Sequence, residues 1–185
     1  TLAATIVLAS MGPAEAQKRG GTLTIVRPTD PVSLDPQLET TAPGAWVYFN
    51  MLEPLLTMDE KMQIRPALAT GYEVLSPTKV RFKLRPNVKF HDGSPFNAEA
   101  AALSLNDTWG KEKNYRIRTF IGPEFQAKAI DELTLDVVTE SPDPILPERL
   151  YFSPIGPLKQ MKEKPDEVPL KPIGTGPYTL GETLG

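Results

Sequence analysis

The amino-acid sequence predicts an α/β fold assembled from many short elements. Residues 79–85 and 133–138 alternate apolar and polar side chains with the two-residue period of half-buried strands. Residues 44–56 and 98–109 instead repeat apolar side chains at the spacing of a helix. Proline accounts for 20 of the 185 residues, which is roughly twice its usual share of about 5%. Because proline interrupts helices and central strands, this composition disfavours long bundles and long uninterrupted sheets.

The N-terminal segment, residues 1–16, is predicted to be the remainder of an export signal. Residues 1–10 form an uncharged apolar run that is too short for the about 20 residues that span a bilayer. Ala14-Glu15-Ala16 then follows the A-x-A pattern that signal peptidase accepts. A buried helix is the competing interpretation, but Lys18-Arg19-Gly20-Gly21 would break such a helix before the first strand. We therefore expect a periplasmic protein that is exported through a cleavable signal and has no membrane anchor.

The first half of the chain is predicted to contain a strand, a helix and a hairpin. The strand covers residues 21–27 and ends at the turn-forming segment Ser33-Leu34-Asp35-Pro36. The helix covers residues 44–56, and Pro54 ends or kinks it. The hairpin, residues 72–85, is the clearest local pattern. Its second strand is predicted to have a core face and a water-exposed face, with Val80, Phe82 and Leu84 on the first and Lys79, Arg81, Lys83 and Arg85 on the second.

The second half continues with a turn, a helix and a second hairpin. Residues 90–95 are typical of a tight turn with Gly93 at positive φ, and Asn97 is expected to cap the helix over residues 98–109. The remaining predicted elements are strands at 125–130 and 133–138, short helices near 145–150 and 158–164, and a turn that enters a strand at 173–180.

Composition excludes several classes of functional site. The chain has no cysteine and a single histidine, His91, which excludes disulfides, thiol nucleophiles, zinc–thiolate sites and multi-histidine metal sites. The formal net charge of -3 argues against a nucleic-acid partner, because such proteins usually present a basic face. One basic stretch is equally explained by a solvated loop or helix face; it contains Lys111, Lys113, Arg116 and Arg118.

No catalytic constellation emerges from the motifs. His91, Asp92 and Ser94 are neighbours in one predicted turn, and a catalytic triad needs a base that an acid orients in space. The segment Gly174-Thr175-Gly176 lacks the Gly-Lys-Ser/Thr that completes a phosphate loop. Loop carboxylates could supply a hydrolase with an acid and a base, but nothing distinguishes such a pair among Asp30, Asp35, Glu39 and Glu53.

Seven short segments occur in an order that is characteristic when taken together. They are Gly20-Gly21-Thr22-Leu23, Ser33-Leu34-Asp35-Pro36, Leu52-Glu53-Pro54-Leu55, Pro66-Ala67-Leu68-Ala69, Phe82-Lys83-Leu84-Arg85, Val88-Lys89-Phe90-His91-Asp92-Gly93-Ser94-Pro95-Phe96 and Pro172-Ile173-Gly174-Thr175-Gly176-Pro177-Tyr178. In this order they resemble the extracytoplasmic solute-binding proteins of ABC importers, family 5. That group includes receptors for oligopeptides, dipeptides, nickel and glutathione.

The resemblance implies a periplasmic-binding-protein-like fold of type II, whose two lobes close around a ligand. Members of the family are considerably longer than this chain, and their second lobe normally follows the segment that resembles residues 173–178. We therefore expect residues 17–185 to form most of the N-terminal lobe, with a subdomain at about residues 45–150 and with the second lobe absent.

The function that the resemblance implies is non-enzymatic. Such a protein captures a peptide-like or other small solute in the periplasm and delivers it to the transmembrane permease subunits of an importer. We expect no cofactor, and we expect the full-length form to be a monomer. A secreted hydrolase that uses loop carboxylates and a module that binds another protein are the alternatives.

The resemblance also implies ligand contacts in three segments of this chain. The residues are Glu39, Thr41 and Ala42 in the loop after the Ser33–Pro36 segment, then Tyr115, Arg116 and Arg118, and finally Phe152 and Ser153. In peptide-binding relatives an acidic side chain in the first of these loops can meet the amino terminus of the ligand. We assign that role to Glu39 as an expectation, for which a solvated loop charge is the alternative.

Overall fold

The computed structural model describes residues 20–109 and 116–181. The predicted export signal, residues 1–16, and one predicted ligand residue, Tyr115, lie outside this described part of the chain. The elements that the described part contains are helices α1 (Ala42–Tyr48), α2 (Ala98–Asp107), α3 (Arg118–Ile121), α4 (Leu146–Arg149) and α5 (Leu158–Glu163), strands β1 (Leu56–Met58), β2 (Ile64–Pro66), β3 (Ala69–Ser76), β4 (Lys79–Leu84), β5 (Phe125–Asp131) and β6 (Thr134–Thr139), and 3₁₀ turns at Leu150–Phe152 and Pro165–Glu167.

The strands form a two-stranded and a four-stranded antiparallel sheet. The larger sheet has the order β3-β4-β6-β5, and the smaller one pairs β1 with β2. Phe82 lies opposite Tyr72 on one neighbouring strand and opposite Leu135 on the other. Phe82 and Leu135 are completely buried, and α2 packs over the same face of the sheet, mainly against β5. This layer of helix on sheet forms the main hydrophobic core.

Helix α2 shows how local signals and packing cooperate. The side-chain oxygen of Asn97 accepts a hydrogen bond of 2.9 Å from the amide of Ala100, which satisfies one of the free donors at the start of the helix. Near the other end, the side-chain amide of Asn106 donates to the carbonyl of Ala127 and accepts from its N–H, both at 2.8 Å. Asn106 thus occupies main-chain hydrogen-bonding groups of the edge strand β5.

Several sequence predictions are confirmed. Both hairpins, the Asn97 cap and the two short helices near residues 146 and 158 are present, and Gly93 has a φ of 81° in its turn. The α/β class predicted from the sequence therefore holds. Helix α2 ends at Asp107, two residues before the predicted boundary at Trp109.

One predicted helix is shorter than expected, and two predicted strands are wrong. Helix α1 ends at Tyr48, and residues 56–58 form β1. The carbonyls of Pro54 and Leu55 accept hydrogen bonds from Leu68 and Ala69, so this segment does not continue the helix. The strand predicted at residues 21–27 belongs to no sheet within the described part of the chain, and its apolar side chains are exposed there. A strand requires a partner for its main-chain groups, which alternation alone cannot provide.

The strand predicted at residues 173–180 is likewise no strand. This segment is held through hydrogen bonds from the amides of Gly176 and Tyr178 to the carbonyls of Met51 and Asn50, at 2.9 and 3.2 Å. These two hydrogen bonds attach the segment to the turn after α1, but they do not form the regular pairing of a β-sheet.

The prediction that the basic side chains of residues 79–85 face water is confirmed for Lys83 and Arg85, which are exposed, and holds only in part for Lys79 and Arg81, which are half-buried. Arg81 and Lys79 both bind the buried carboxylate of Asp136 on the neighbouring strand β6. The side chain of Lys83 donates to the hydroxyl of Thr134. The alternation correctly identified the two faces of the strand, but it could not identify the partners across the sheet.

Candidate functional site

The loop that precedes α1 is organised by two acidic side chains. Oδ1 of Asp35 accepts a hydrogen bond of 2.9 Å from the amide of Gln37, and the amide of Asp35 in turn donates to the hydroxyl of Ser33. These bonds form the local turn that aspartate favours. The carbonyl of Asp35 also accepts from the amide of Glu39 at 2.8 Å, so the chain reverses direction before it enters α1.

Glu39 is buried, with 3% of its surface exposed, and both of its carboxylate oxygens serve its own loop. Oε2 accepts from the amide of Val32 at 2.9 Å, and Oε1 accepts from the amide of Thr41 at 2.8 Å. Gly44 lies so close to the side chain of Glu39 that a Cβ atom at that position would collide with it. Burial acts to raise the pKa of Glu39, but hydrogen bonds from Thr41, Val32 and Ser33 outweigh burial and hold the pKa below its ordinary value.

The direct ligand contact expected of Glu39 therefore stays a prediction. The carboxylate of Glu39, an anion at neutral pH, instead stabilises its own loop. Thr41 and Ala42, in contrast, are exposed at the start of α1.

The second predicted segment contacts this loop directly. The amide of Ile117 donates to the carbonyl of Gln37 at 3.3 Å. Arg118 is half-buried; its Nε donates to the carbonyl of Thr108 at 2.6 Å, and its guanidinium lies 5.6 Å from the ring centroid of Trp109. Arg116 is exposed. Arg118 thus anchors its segment to the end of α2, whereas the side chain of Arg116 is accessible to a ligand.

Four aromatic residues form a continuous surface that connects the end of α1, α3 and the 3₁₀ turn after α4, and a fifth, Tyr48, is buried against Phe49. We call it the aromatic surface, and it consists of Phe49, Phe120, Tyr151 and Phe152. The rings of Phe49 and Tyr151 are stacked, with centroids 5.0 Å apart and planes 20° from parallel. Phe152 lies 5.0 Å from Tyr151 and 5.9 Å from Phe120, and Tyr48 lies 4.9 Å from Phe49. Phe49, Tyr151 and Phe152 are only half-buried, and Phe120 is 48% exposed.

Tyr48 connects the aromatic surface to the loop before α1. Burial, followed by the electrostatic influence of Tyr151, Glu39 and Asp35, raises the pKa of Tyr48 to about 12. Its hydroxyl therefore stays neutral throughout the physiological range. Tyr151, Glu39 and Asp35 are thus each close enough to Tyr48 to influence its hydroxyl.

Two buried polar atoms near the aromatic surface have no hydrogen-bond partner. They are Oγ of Ser153, in a residue that is 6% exposed, and Oε2 of Glu148 in α4. Their neighbour Arg149 is already engaged, because its Nη1 lies 3.3 Å from Oδ2 of Asp143. Unpartnered buried polar atoms are rare in folded proteins and often coincide with functional positions.

His91 fixes a second loop, residues 174–176, against the turn in which it lies. Its amide donates to the carbonyl of Gly174 at 2.8 Å, and the amide of Gly174 donates to Nδ1 of His91 at 3.3 Å. Because Nδ1 accepts this bond, Nε2 carries the proton and donates to the carbonyl of Gly176 at 2.8 Å. The imidazole is therefore a structural clamp, while the carboxylate of Asp92 binds Ser94 within the turn.

The cleft behind the loop before α1 is too small for a solute. It lies between residues 35–37, α2 and α5 and has a volume of about 50 Å³, which is enough for one or a few water molecules. Larger open clefts of about 670 and 360 Å³ lie beside Trp109 and beside Trp46. Within residues 20–109 and 116–181, no three histidine, aspartate or glutamate side chains are grouped to hold a metal ion. We take the aromatic surface as the candidate for ligand contact because the predicted segments meet there.

The structure brings the three predicted segments together. The Ile117–Gln37 hydrogen bond joins the first to the second, and the Phe120–Phe152 contact joins the second to the third. Sequence reasoning missed Phe120, Tyr151 and Glu148. An aromatic doublet at Tyr151-Phe152 was a usable signal, but no pattern in the sequence indicated that Phe120 lies beside it.

A family model described as bacterial extracellular solute-binding proteins, family 5 Middle, matches residues 63–183. The chain is similar to the glutathione-binding protein GsiB of Pectobacterium atrosepticum, with 28% identity over 153 residues, which are 79% of this chain and 29% of that protein. It is also similar to GsiB of Escherichia coli K12, with 29% identity over 159 residues, covering 80% and 30%. The chain thus spans about 30% of the length of these curated relatives.

Solved structures show the same fold. NikZ from Campylobacter jejuni, in complex with Ni(L-His), superposes with a TM-score of 0.76 at 19% identity, over 84% of this chain and 32% of NikZ. OppA from Burkholderia pseudomallei superposes with a TM-score of 0.74 at 22% identity, over 85% and 35%. The described part of this chain therefore has the fold of part of one lobe of a bilobal periplasmic binding protein.

Proposed function

Because the chain belongs to the bacterial extracellular solute-binding proteins of family 5, we propose that it contributes one wall of the ligand cleft in the substrate-binding component of an ABC importer. We call the longer protein that carries this chain the receptor. The receptor captures a peptide-like solute in the periplasm and presents it to the transmembrane permease. It acts as a monomer and without catalysis.

The observation that carries the proposal is the aromatic surface, where the predicted ligand segments converge. Half-buried rings offer flat apolar faces to the carbon skeleton of a solute, and an aromatic group in the solute would gain about 0.5–1.5 kcal/mol from stacking beyond the effect of burial. In a two-lobed receptor, closure of the opposite lobe excludes water from the aromatic surface. Contacts between these rings and the solute then contribute to the selection of one solute over another. The names of the matched GsiB relatives refer to glutathione, and glutathione is itself peptide-like.

A hydrolytic function receives less support from the loop carboxylates. Glu39 has both oxygens bound by amides and a lowered pKa, whereas a general acid needs a raised pKa. Oδ1 of Asp35 is used in a turn. In the described residues no helix has the length and apolar character needed to cross a bilayer.

The test is ligand binding by the purified receptor. We expect calorimetric titration with glutathione and with a panel of di- and tripeptides to find at least one solute that binds, and small-angle scattering to show a decrease in the radius of gyration at saturation. Phe152→Ala and Tyr151→Ala should each weaken binding at least about tenfold, which corresponds to about 1.4 kcal/mol.

The matched control is Tyr72→Ala, which removes a partly exposed tyrosine from the edge strand β3. This variant should bind the solute with unchanged affinity. A receptor that binds nothing in the panel and does not close would refute the proposed function. Equal losses in Tyr72→Ala and Tyr151→Ala would refute the assignment of the aromatic surface.

A further inference from the structure

Among the buried side-chain atoms of the described residues that lack a hydrogen-bond partner, Oε2 of Glu148 is the one that belongs to an acidic group. Glu148 is half-buried, and its Oε2 is inaccessible to solvent yet accepts no hydrogen bond. A buried carboxylate oxygen without a donor is unfavourable, and the cost falls when a donor or a cation arrives.

The cationic neighbour along the helix does not supply that donor. Nη1 of Arg149 lies 3.3 Å from Oδ2 of Asp143, whose side chain is buried. The guanidinium of Arg149 is also held by close packing against Gly122, where φ is 82° and a Cβ atom would collide with it. Arg149 thus binds Asp143 and does not donate to Oε2 of Glu148.

The position of Glu148 in its helical run relates it to the aromatic surface. Helix α4 continues without a break into the 3₁₀ turn at residues 150–152, so Tyr151 and Phe152 follow Glu148 by three and four residues. Because side chains three residues apart eclipse in a 3₁₀ turn, Glu148 and Tyr151 lie on the same side of this run. The ring of Tyr151 contacts Phe49 and Phe152, which places the carboxylate on the side of the run that carries the aromatic surface.

Glu148 differs in this respect from the other acid near the aromatic surface. Both oxygens of Glu39 accept hydrogen bonds from main-chain amides, so Glu39 has little capacity for a ligand. Aromatic faces and an unpaired carboxylate are together suited to an ammonium or guanidinium group, through cation–π attraction and a charge-assisted hydrogen bond.

We propose that Glu148 is a specificity-determining residue that selects solutes carrying a cationic group next to the aromatic surface. This inference rests on the proposed function, because it requires that the aromatic surface contacts the solute. When the half-buried side chain of Glu148 turns Oε2 toward the aromatic surface, the cation completes the hydrogen bonding of this oxygen, and the ring of Tyr151 contacts the apolar part of the same ligand side chain.

The experiment compares two tripeptides that differ only in charge at one side chain, Ala-Lys-Ala and Ala-norleucine-Ala, by calorimetric titration of the receptor. We expect the wild type to bind the lysine peptide at least about tenfold more tightly, with a preference that decreases as salt is added. Glu148→Gln should abolish the preference while leaving the affinity for the norleucine peptide unchanged. The control is Glu163→Gln, at an exposed position in α5, which should retain the preference.

The thermal midpoint of the ligand-free receptor separates this role from a structural one. Because Oε2 of Glu148 has no hydrogen-bond partner to lose, the midpoint of Glu148→Gln should stay constant or rise; a decrease would indicate that the carboxylate supports the fold and would overturn the inference. Equal affinity of the wild type for the two peptides, or a preference that survives Glu148→Gln, would also overturn it while leaving the proposed function intact. A wild type that binds neither peptide nor any solute of the panel would overturn the proposed function and the inference together.

Discussion

Replacing Asp136 by asparagine should destabilise the chain at neutral pH and have about half that effect at pH 3. Asp136 lies in β6 and is 2% exposed. Its Oδ1 accepts a hydrogen bond of 2.6 Å from Nε of Arg81, and its Oδ2 accepts from Nη2 of Arg81 at 2.9 Å and lies 2.7 Å from Nζ of Lys79. Asparagine keeps the shape of the side chain but removes the charge that these two cations stabilise.

The size of the effect follows from the pKa. The hydrogen bond from Arg81 lowers the pKa of Asp136 most strongly, burial opposes it, and the bond and charge of Lys79 assist, so that the pKa falls from 3.8 to about 2. A depressed pKa in the folded state stabilises the protein above the unfolded value of 3.8, and this stability is lost as the pH falls through about 2. The difference corresponds to about 2 kcal/mol at pH 6, and about half of it remains at pH 3.

The assay is urea unfolding of wild type and Asp136→Asn at pH 6 and pH 3. We expect the difference in unfolding free energy to be about 2 kcal/mol at pH 6 and about 1 kcal/mol at pH 3. Glu73→Gln is the control, because Glu73 is an exposed carboxylate directly opposite Arg81 on β3, and its loss should cost less than about 0.5 kcal/mol. A difference for Asp136→Asn that is the same at both pH values would refute the electrostatic explanation.

Two further substitutions test the contacts that hold the loops and the sheet edge. Gly174→Ala would place a methyl group against the carbonyl of Met51, so the thermal midpoint should fall by several degrees. The control is Gly71→Ala, which has no atom near the added Cβ and should change the midpoint little. Similar midpoints for the two variants would contradict the close packing at Gly174. Asn106→Ala removes both hydrogen bonds to the main chain of Ala127. The free energy of unfolding in urea should fall by about 1–3 kcal/mol, and amide hydrogen exchange in β5 should become faster. Unchanged exchange would show that Asn106 does not protect this edge.

Predictions from local patterns succeeded where the determinants are local. The alternation of apolar side chains along β4 was sufficient to place Phe82 in the core, and the Asn97 cap was recognisable because its hydrogen bond spans only three residues. A two-residue period is imposed by the strand itself and therefore appears directly in the sequence.

Predictions failed where the determinant lies far away along the chain. The partner of Arg81 is 55 residues distant, and no periodicity relates the two positions. Residues 21–27 have the alternation of a strand but lack a pairing partner in the described part of the chain, and pairing cannot be deduced from one strand alone. The aromatic surface presents the same difficulty, because Phe120 and Phe152 meet only after α3 and α4 have packed.

The polar groups of the candidate site fall into two kinds. Some are fully hydrogen-bonded and hold the loops in place, and others have unused hydrogen-bonding capacity that a ligand could fill. The carboxylate oxygens of Glu39 bind main-chain groups of its own loop. The ring nitrogens of His91 bind main-chain groups of the loop at residues 174–176. A ligand could engage either side chain only by loosening these loops. Glu148 and Ser153 retain unused hydrogen-bonding capacity beside the aromatic rings. Substitutions at Glu39 or His91 should consequently lower the thermal midpoint of the ligand-free protein, and any loss of affinity should follow from that. Substitutions at Glu148 should change solute preference at constant stability, because a ligand that binds an unpartnered polar atom breaks no hydrogen bond of the fold.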